Sequence, residues 1–311
     1  MVYVVDAILL SPSNEHIDQA LNDLQQSFKL TDEGNIADYL GIKVNKLSRG
    51  IISLTQPHLI LSILKDINLS KNTKSKGTPA VSTHLLHQDS EKNVFNKHWD
   101  YRLVMGKLNF LEKSTQPDIA FAVHQCAWFA SNPKKLCADT VKQIGQYLLG
   151  TCHMGIVLNP DLNQSFLVWA NVDFVGNWDP DTAIDNVMIA KSRSGYLITY
   201  SGCPISWASK MQTEMALSTT ESKYRSLSTA LQETLPMMRL IQEFKHKIKC
   251  DNVVTTPTIP FTLFEDNTGA LELANTPKMQ PHTRHKNIKY HHFREHVQNK
   301  LIKIKSVCTT E

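Results

Sequence analysis

The amino-acid sequence predicts an α/β protein whose last half is a mixed five-stranded sheet with flanking helices, preceded by an α+β segment and a helical module. Three observations carry this. From residue 161 onward the order is three strand-like runs, a long helix, a strand, a helix and a strand, the order of an α/β unit with a mixed sheet. Between residues 100 and 150 the short apolar clusters "LVMGKLNFL", "IAFAVHQCAWFA" and "VKQIGQYLLG" are separated by Pro117 and Pro133 and read as a small bundle of helices. Ahead of them, "ADYLGIKVNKLSRGIISLTQ" has the β-branched alternation of a hairpin around a turn at Ser48 to Gly50.

Taken in order, the chain opens with "MVYVVDAILLSP", an apolar strand holding one carboxylate, Asp6. A buried aspartate is costly unless it is paired or binds a metal; the other reading is a strand end facing water. "SPSNEHIDQALNDLQQSF" places Ile17, Leu21, Leu24 and Phe28 at helical spacing, with Ser11 or Ser13 as N-cap, and predicts a helix packed on that strand. After the hairpin, residues 68 to 99 turn to Ser, Thr, Lys and Asn with little periodicity and read as a loop-rich linker. In the last half, "QSFLVWANVDF" and "GYLITYSGCPISWAS" supply three strands and Ser218 to Lys247 the long helix. "PFTLFEDN" and "LIKIKSVCT" supply the fourth and fifth strands.

Composition narrows the function classes. The chain has 311 residues, 41% of them hydrophobic, which suits a soluble globular protein of two or more domains. The net charge of +4 is mildly basic, and it is unevenly placed. Arg284, Lys286, Lys289, Arg294, Lys300, Lys303 and Lys305 fall in one stretch that holds a single acid, Glu295. Such a stretch suits a phosphate backbone or a solvated face equally. The six cysteines form no CxxC pair, which argues against a zinc site or a disulfide scaffold and for a reducing, intracellular setting, cytoplasmic or nuclear. With no basic leader and no long apolar run, neither secretion nor a membrane span is predicted. His292 and His296 stand four apart, but Glu295 is misplaced for a zinc-binding HExxH arrangement.

Candidate chemistry gathers in the last half. Asn171 and Asp173 end the first strand of that half, Glu221 opens the long helix, and Asp266 ends the fourth strand. Ligand sites in α/β sheets collect at the carboxyl ends of strands. Converging carboxylates there are the hard oxygen ligands that Mg²⁺ prefers, and paired ions can activate water against a phosphodiester. Each residue also has a structural reading: Ser218 and Glu221 in "STTE" form a capping box, Asp266 caps the following helix, and Asp173 is a turn residue.

A series of blocks runs along the chain: "YVVD" (3 to 6), "YLGIKV", "YRLVMGKLNFL...TQPDIAFAV" and "YLLGT". They continue with "WANVDFVGNWDPD", "KSRSGYLITYSGCPISWASKMQ", "STTESKYRSL", "FEDNTGALELA" and "KYHHFREHV". In these residues and their order the sequence resembles, over nearly its whole length, the Pol polyprotein of Ty1/copia-type retrotransposons, "YVVD" being similar to the family's YVDD polymerase box. The resemblance implies a partial reverse transcriptase palm and thumb in residues 1–95, a helical connection in 96–160, and a ribonuclease H-like domain in 161–311, C-terminally truncated. It implies RNA/DNA hybrid as partner, Mg²⁺ as cofactor and no small-molecule cofactor. Asp6 corresponds to the second aspartate of the polymerase box, and Glu221, Asp266 and the Asn171 position to the ribonuclease site, with Glu221 and Asp266 as its metal ligands.

The departures from the family predict weakened chemistry. Val5 stands where the box has its principal metal-binding aspartate, and the upstream palm and fingers are not in the sequence, so no polymerase activity is expected. Asn171 replaces an aspartate, and Asp173, about 6.6 Å further along a strand, lies too far to substitute. Lys223 stands where the family carries a second acid of the helix motif, and the sequence stops at "VCTTE", short of the closing aspartate. The expectation is weak or absent Mg²⁺ binding and impaired ribonuclease H activity. The alternatives are a non-enzymatic nucleic-acid-binding module or a functionless relic of an element.

Overall fold

The computed structural model describes residues 7–70, 72–80, 95, 98–176, 178, 187–248, 261–275 and 294–307. Residues 1–6 of the predicted opening strand, with Asp6, lie outside them, and the rest of that run, residues 7–12, is not in a strand. The helix predicted next is present as α1 (Asn14–Gln25), but its expected packing is not: none of its residues is buried, and Leu24 and Phe28 are exposed. Ser13 occupies the N-cap position without a side-chain hydrogen bond.

The predicted hairpin is borne out. β1 (Asp38–Tyr39), β2 (Ile42–Lys46) and β3 (Ile52–Thr55) form an antiparallel ribbon, and the turn into β3 takes positive φ at Arg49 and Gly50. Its fourth strand, β4 (Ile156–Leu158), comes about a hundred residues later and pairs with β3. Nothing in a three-residue run announces such a distant pairing.

Helix α2 (Pro57–Asp66) follows β3 directly and was not anticipated, although Pro57 at its first position and Ile60, Ile63, Leu64 and Ile67 at helical spacing are the ordinary signals. The helical module is present as α3 (Tyr101–Ser114), α4 (Ala120–Ala127) and α5 (Lys135–Gly150). Asp100 caps α3 by accepting from the Leu103 N–H at 3.0 Å. One core joins α2 to these three helices, with Ile60, Ile63, Leu108, Leu111, Val123, Ile144 and Leu148 fully buried.

The last half forms the mixed sheet the sequence predicts. β5 (Phe166–Asp173) pairs antiparallel with β6 (Arg193–Tyr200), which pairs antiparallel with β7 (Cys203–Met211). On its other side β5 runs parallel to β8 (Phe261–Glu265), and β8 parallel to β9 (Ile302–Ser306). The spatial order β7-β6-β5-β8-β9, with the long helix α6 (Thr219–Ile248) across it and α7 (Thr268–Asn275) and α8 (Arg294–Gln298) between the parallel strands in sequence, is a ribonuclease H-like fold. Phe166, Val168, Ile198, Phe261 and Leu263 pack beneath Tyr224, Leu227, Ala230 and Leu231 of α6. Two contacts tie the helical module to this sheet: Trp207 Nε1 donates to the Glu112 carbonyl at 2.8 Å, and the Arg193 guanidinium sits 5.0 Å from the Phe121 ring centre. Among the described residues no helix is long and apolar enough to cross a membrane.

Two helical glycines give opposite expectations. A Cβ at Gly106 in α3 meets nothing within 4 Å, whereas one at Gly145 in α5 would lie 2.4 Å from Ile67 Cδ1 and 2.7 Å from Leu69 Cδ1. Gly106→Ala is expected to stabilise the protein by about 0.5–1 kcal/mol through helix propensity. Gly145→Ala is expected to destabilise it by about 1–3 kcal/mol through overpacking. Urea denaturation of the two variants checks both signs.

Candidate ribonuclease H-like site

β5 and β8 are adjacent and parallel, so their carboxyl ends coincide, and this brings Asn171 and Asp266 to one end of the sheet. Helix α6 is held against the same place by Ser226, a buried residue whose hydroxyl donates to the Asn171 carbonyl at 2.9 Å and lies 3.4 Å from that of Gly195. Ser226 and Leu227 face the sheet, and Lys223, one turn earlier, faces the same way. Its ammonium donates to Asn171 Oδ1 at 2.6 Å and to Asp266 Oδ1, and lies 3.7 Å from Glu265 Oε1. Asn171 Oδ1 also accepts from the Val172 N–H at 2.7 Å.

Glu221 does not join this group. Two residues from Lys223 on a helix is a rotation of about 200°, and its carboxylate is committed elsewhere. Oε2 accepts from the Leu217 N–H at 3.1 Å, Oε1 accepts from Arg225 at 2.8 Å, and the Glu221 N–H donates to Ser218 Oγ at 3.2 Å. The capping reading of "STTE" is the one its contacts follow. The pairing of Glu221 with Asp266 as metal ligands is therefore revised, since the residue of α6 that meets Asp266 is Lys223. Helical spacing carried the signal: Lys223 lies i, i+4 and i+7 with Leu227 and Ala230 on the buried face.

Asp266 does not cap α7. That role falls to Asn267, whose Oδ1 accepts from the Ala270 N–H at 2.9 Å. Asp173 lies opposite Arg193 in the β5–β6 register and packs against the turn at Gly176, where a Cβ would come within 2.1 Å of Asp173 Oδ1. Of the basic stretch, Lys300, Lys303 and Lys305 are exposed. Lys303 and Lys305 alternate with the inward Ile302 and Ile304 on β9, and Lys305 shares a cross-sheet row with Phe264 and Trp169, whose rings stack at 5.5 Å. Arg294 belongs to α8, while Arg284, Lys286 and Lys289 lie outside the described residues, as does His292.

The sequence reading missed Glu265. Its side chain is fully buried at the end of β8, with Oε1 accepting from the Asp266 and Asn267 N–H groups at 3.1 and 3.3 Å and Oε2 unpartnered. Burial, reinforced by the adjacent Asp266 carboxyl, pushes its pKa up to about 8 against the pull of Lys223. Partial burial works to raise Asp266 too, but hydrogen bonding with Glu265 and Lys223, together with the Lys223 charge, outweighs it and holds that carboxyl below its usual range. The cluster at neutral pH is thus one ammonium, one carboxylate, one amide and one largely neutral acid. A polar β8 terminus after "FTLF" gave no hint that Glu265 turns inward.

No family model matches the chain. Curated relatives do. The Retrovirus-related Pol polyprotein from transposon TNT 1-94 of Nicotiana tabacum is 30% identical over 323 residues, covering 100% of this chain and 22% of the polyprotein. Those from transposons RE1 and RE2 of Arabidopsis thaliana are 28% and 26% identical over 309 residues, covering 99% of this chain and 20% of each polyprotein. Among solved structures, a foamy viral protease-reverse transcriptase in complex with RNA/DNA hybrid covers 88% of this chain with 29% of its own length, at 13% identity and a TM-score of 0.39, a likeness too distant to establish a shared arrangement. Fold and relatives together define a retroelement Pol sequence with a ribonuclease H-like unit. Over nearly its whole length the chain is similar to retrovirus-related Pol polyproteins from transposons, and it spans about a fifth of the length of the relatives named here.

The Mg²⁺ that this family implies does not fit the residues present. Mg²⁺ demands near-octahedral oxygen ligation at about 2.0–2.1 Å, and here the oxygens that could supply it already surround the Lys223 ammonium. Among the described residues no group of three His, Cys, Asp or Glu side chains is placed to hold a metal ion.

The raised Glu265 pKa sets a pH dependence with a definite sign. Because the folded protein binds the Glu265 proton more tightly than the unfolded chain does, this group favours folding at low pH. Its contribution is lost as pH rises from the ordinary glutamate range near 4.5 to about 8. Glu265→Gln keeps the neutral form at every pH. Chemical denaturation at several pH values from about 5 to 8.5 is expected to show a falling stability in the parent and a flatter profile in the variant.

Proposed function

We propose that this chain serves as the nucleic-acid-binding end of a copia-type Pol polyprotein, holding RNA/DNA hybrid on a ribonuclease H-like unit that does not cleave it. In this reading residues 1–95 are palm- and thumb-like, 96–160 are the connection, and 161–311 are the ribonuclease H-like domain. The observation that carries it is the Lys223 ammonium bound between Asn171 and Asp266, where hydrolysis by this fold calls for a cluster of carboxylates. Asn171 contributes a neutral amide, and Glu221 is tied to Arg225 and the α6 cap. Val5 in the polymerase box argues equally against nucleotide addition. Binding is supported by the exposed lysines of β9 and the turn before it, since Lys300, Lys303 and Lys305 are free of the core and suited to phosphate contacts.

The test is incubation of the protein with end-labelled RNA/DNA hybrid, with and without Mg²⁺. The parent is expected to bind without shortening the RNA strand. The double variant Asn171→Asp, Lys223→Glu, which restores two acids at the strand and helix positions, is expected to cleave about 100-fold faster than the parent, equivalent to roughly 2.7 kcal/mol of barrier. Parent cleavage that matches the repaired variant and depends on Mg²⁺ overturns the reading.

Binding has its own check. Replacing Lys300, Lys303 and Lys305 with glutamine is expected to reduce the salt dependence of hybrid affinity by up to about three phosphate contacts, a change of roughly 2–3 in the slope of log K against log salt. Fluorescence anisotropy across a salt series measures it, and an unchanged slope removes β9 from the binding face.

A further inference from the structure

We propose that Lys223 is a tethered cation: it takes the position a divalent ion would need between the ends of β5 and β8, and makes this place structurally complete and indifferent to Mg²⁺. The proposal deepens the reading above, on which this unit holds hybrid without cleaving it.

The geometry is that of a cation cage. An ammonium has three N–H donors; this one makes hydrogen bonds to two oxygens, and a third lies nearby. Asn171 Oδ1 is at 2.6 Å, Asp266 Oδ1 is in direct hydrogen-bond contact, and Glu265 Oε1 is at 3.7 Å. The Lys223 side chain is only 10% exposed and that of Glu265 is fully buried, while Asn171 is exposed, so the ammonium sits at the rim of the packed interface with most of its stem out of water. A lysine buried to this degree would be costly without partners; here the cost is met by one full carboxylate and two further oxygens. The other charges nearby are already engaged: Arg225 binds Glu221 and Glu214, and Arg193 stacks on Phe121 with Asp173 opposite it in the sheet.

Two consequences separate this arrangement from a metal site. A free divalent ion must displace an ammonium attached to α6, whose effective concentration at the cage is fixed by the helix and does not fall on dilution. It must also approach that positive charge at close range in a partly desolvated place, where repulsion is stronger than in water. Ion binding at this place is therefore replaced by a covalently supplied charge, and the ends of β5, β8 and α6 are drawn together in chelator as firmly as in Mg²⁺.

Thermal denaturation and calorimetric titration of the full chain with MgCl₂ or EDTA test this without recourse to activity. The parent is expected to show the same Tm in both solutions and no saturable heat of Mg²⁺ binding. Lys223→Glu, which puts a carboxylate in place of the ammonium, is expected to lose stability in EDTA through like-charge repulsion with Asp266 and to regain several degrees of Tm on adding Mg²⁺, as ligand linkage requires. Lys223→Gln, which removes the charge and adds no acid, is expected to lower Tm equally in both solutions. A saturable Mg²⁺ response in the parent that disappears in Asp266→Asn overturns the proposal, and so does a Tm for Lys223→Gln equal to that of the parent. A folded Lys223→Glu protein with no Mg²⁺ response overturns it as well, because the cage would then not be a cation site. Hybrid binding measured on the same samples separates this from the functional reading. A parent silent to Mg²⁺ that also fails to bind hybrid loses the nucleic-acid role and keeps the tethered cation.

Discussion

The way α6 lies across β5 and β6 is the constraint on which the rest of the last half depends. Its contact is made by Tyr224, Leu227, Ala230 and Leu231 over Phe166, Val168 and Ile198, and is indexed by one polar residue, Ser226, whose hydroxyl reaches backbone carbonyls of both strands. A buried hydroxyl that lost these partners would leave an unsatisfied group in a dry interface, so the rotation and height of the helix are tightly specified. Once they are specified, the helical repeat decides which side chains meet the strand ends. Lys223 arrives there, and Glu221 is turned toward its own cap and toward Arg225.

The electrostatics of the site follow from that placement. Two adjacent acids at the end of β8 behave in opposite ways because one points in and the other points to the ammonium. Burial, with one oxygen unpartnered, raises the pKa of Glu265, while hydrogen bonding with Glu265 and Lys223 and the Lys223 charge lower that of Asp266. One ammonium then faces one carboxylate, and the cluster is nearly neutral. A site of several ionised carboxylates would need a dication to reach the same balance. A lysine in α6 and an amide in β5 thus act in the same direction, each keeping low the negative charge that has to be compensated.

The helical module and its neighbours show a similar economy in how distant segments are joined. β4 returns to pair with β3 after the whole module has been traversed, and Gln116 fixes that return by donating to the Met154 carbonyl at 2.9 Å. Thr115 donates to Gln56 Oε1 at 2.9 Å in the buried join between α2 and α3. The buried cluster running from Ile60 to Leu148 therefore links the hairpin side of the chain to the helices through polar as well as apolar contacts. On the other side Trp207 and Arg193 carry the module to the sheet.

Much of the architecture was legible because it is written in local periodicity. Strand alternation in "SFLVWANVD", the proline-punctuated helices, the capping box of "STTE" and the inward Ile302 and Ile304 between outward lysines each depend on neighbours within a few residues. The sequence by itself determined the fold class and the likeness to retrotransposon Pol polyproteins. What it did not determine are relations between residues far apart in the chain. That β4 closes the first sheet, that α1 buries none of its residues, that Glu265 is buried with its pKa raised, and that Lys223 meets Asp266 while Glu221 does not were decided only by the tertiary structure. The physical reason is that burial and charge pairing are properties of packed surfaces. The helical repeat shows which residues share a face, but only the docking of that face on the sheet sets which oxygens an ammonium will find.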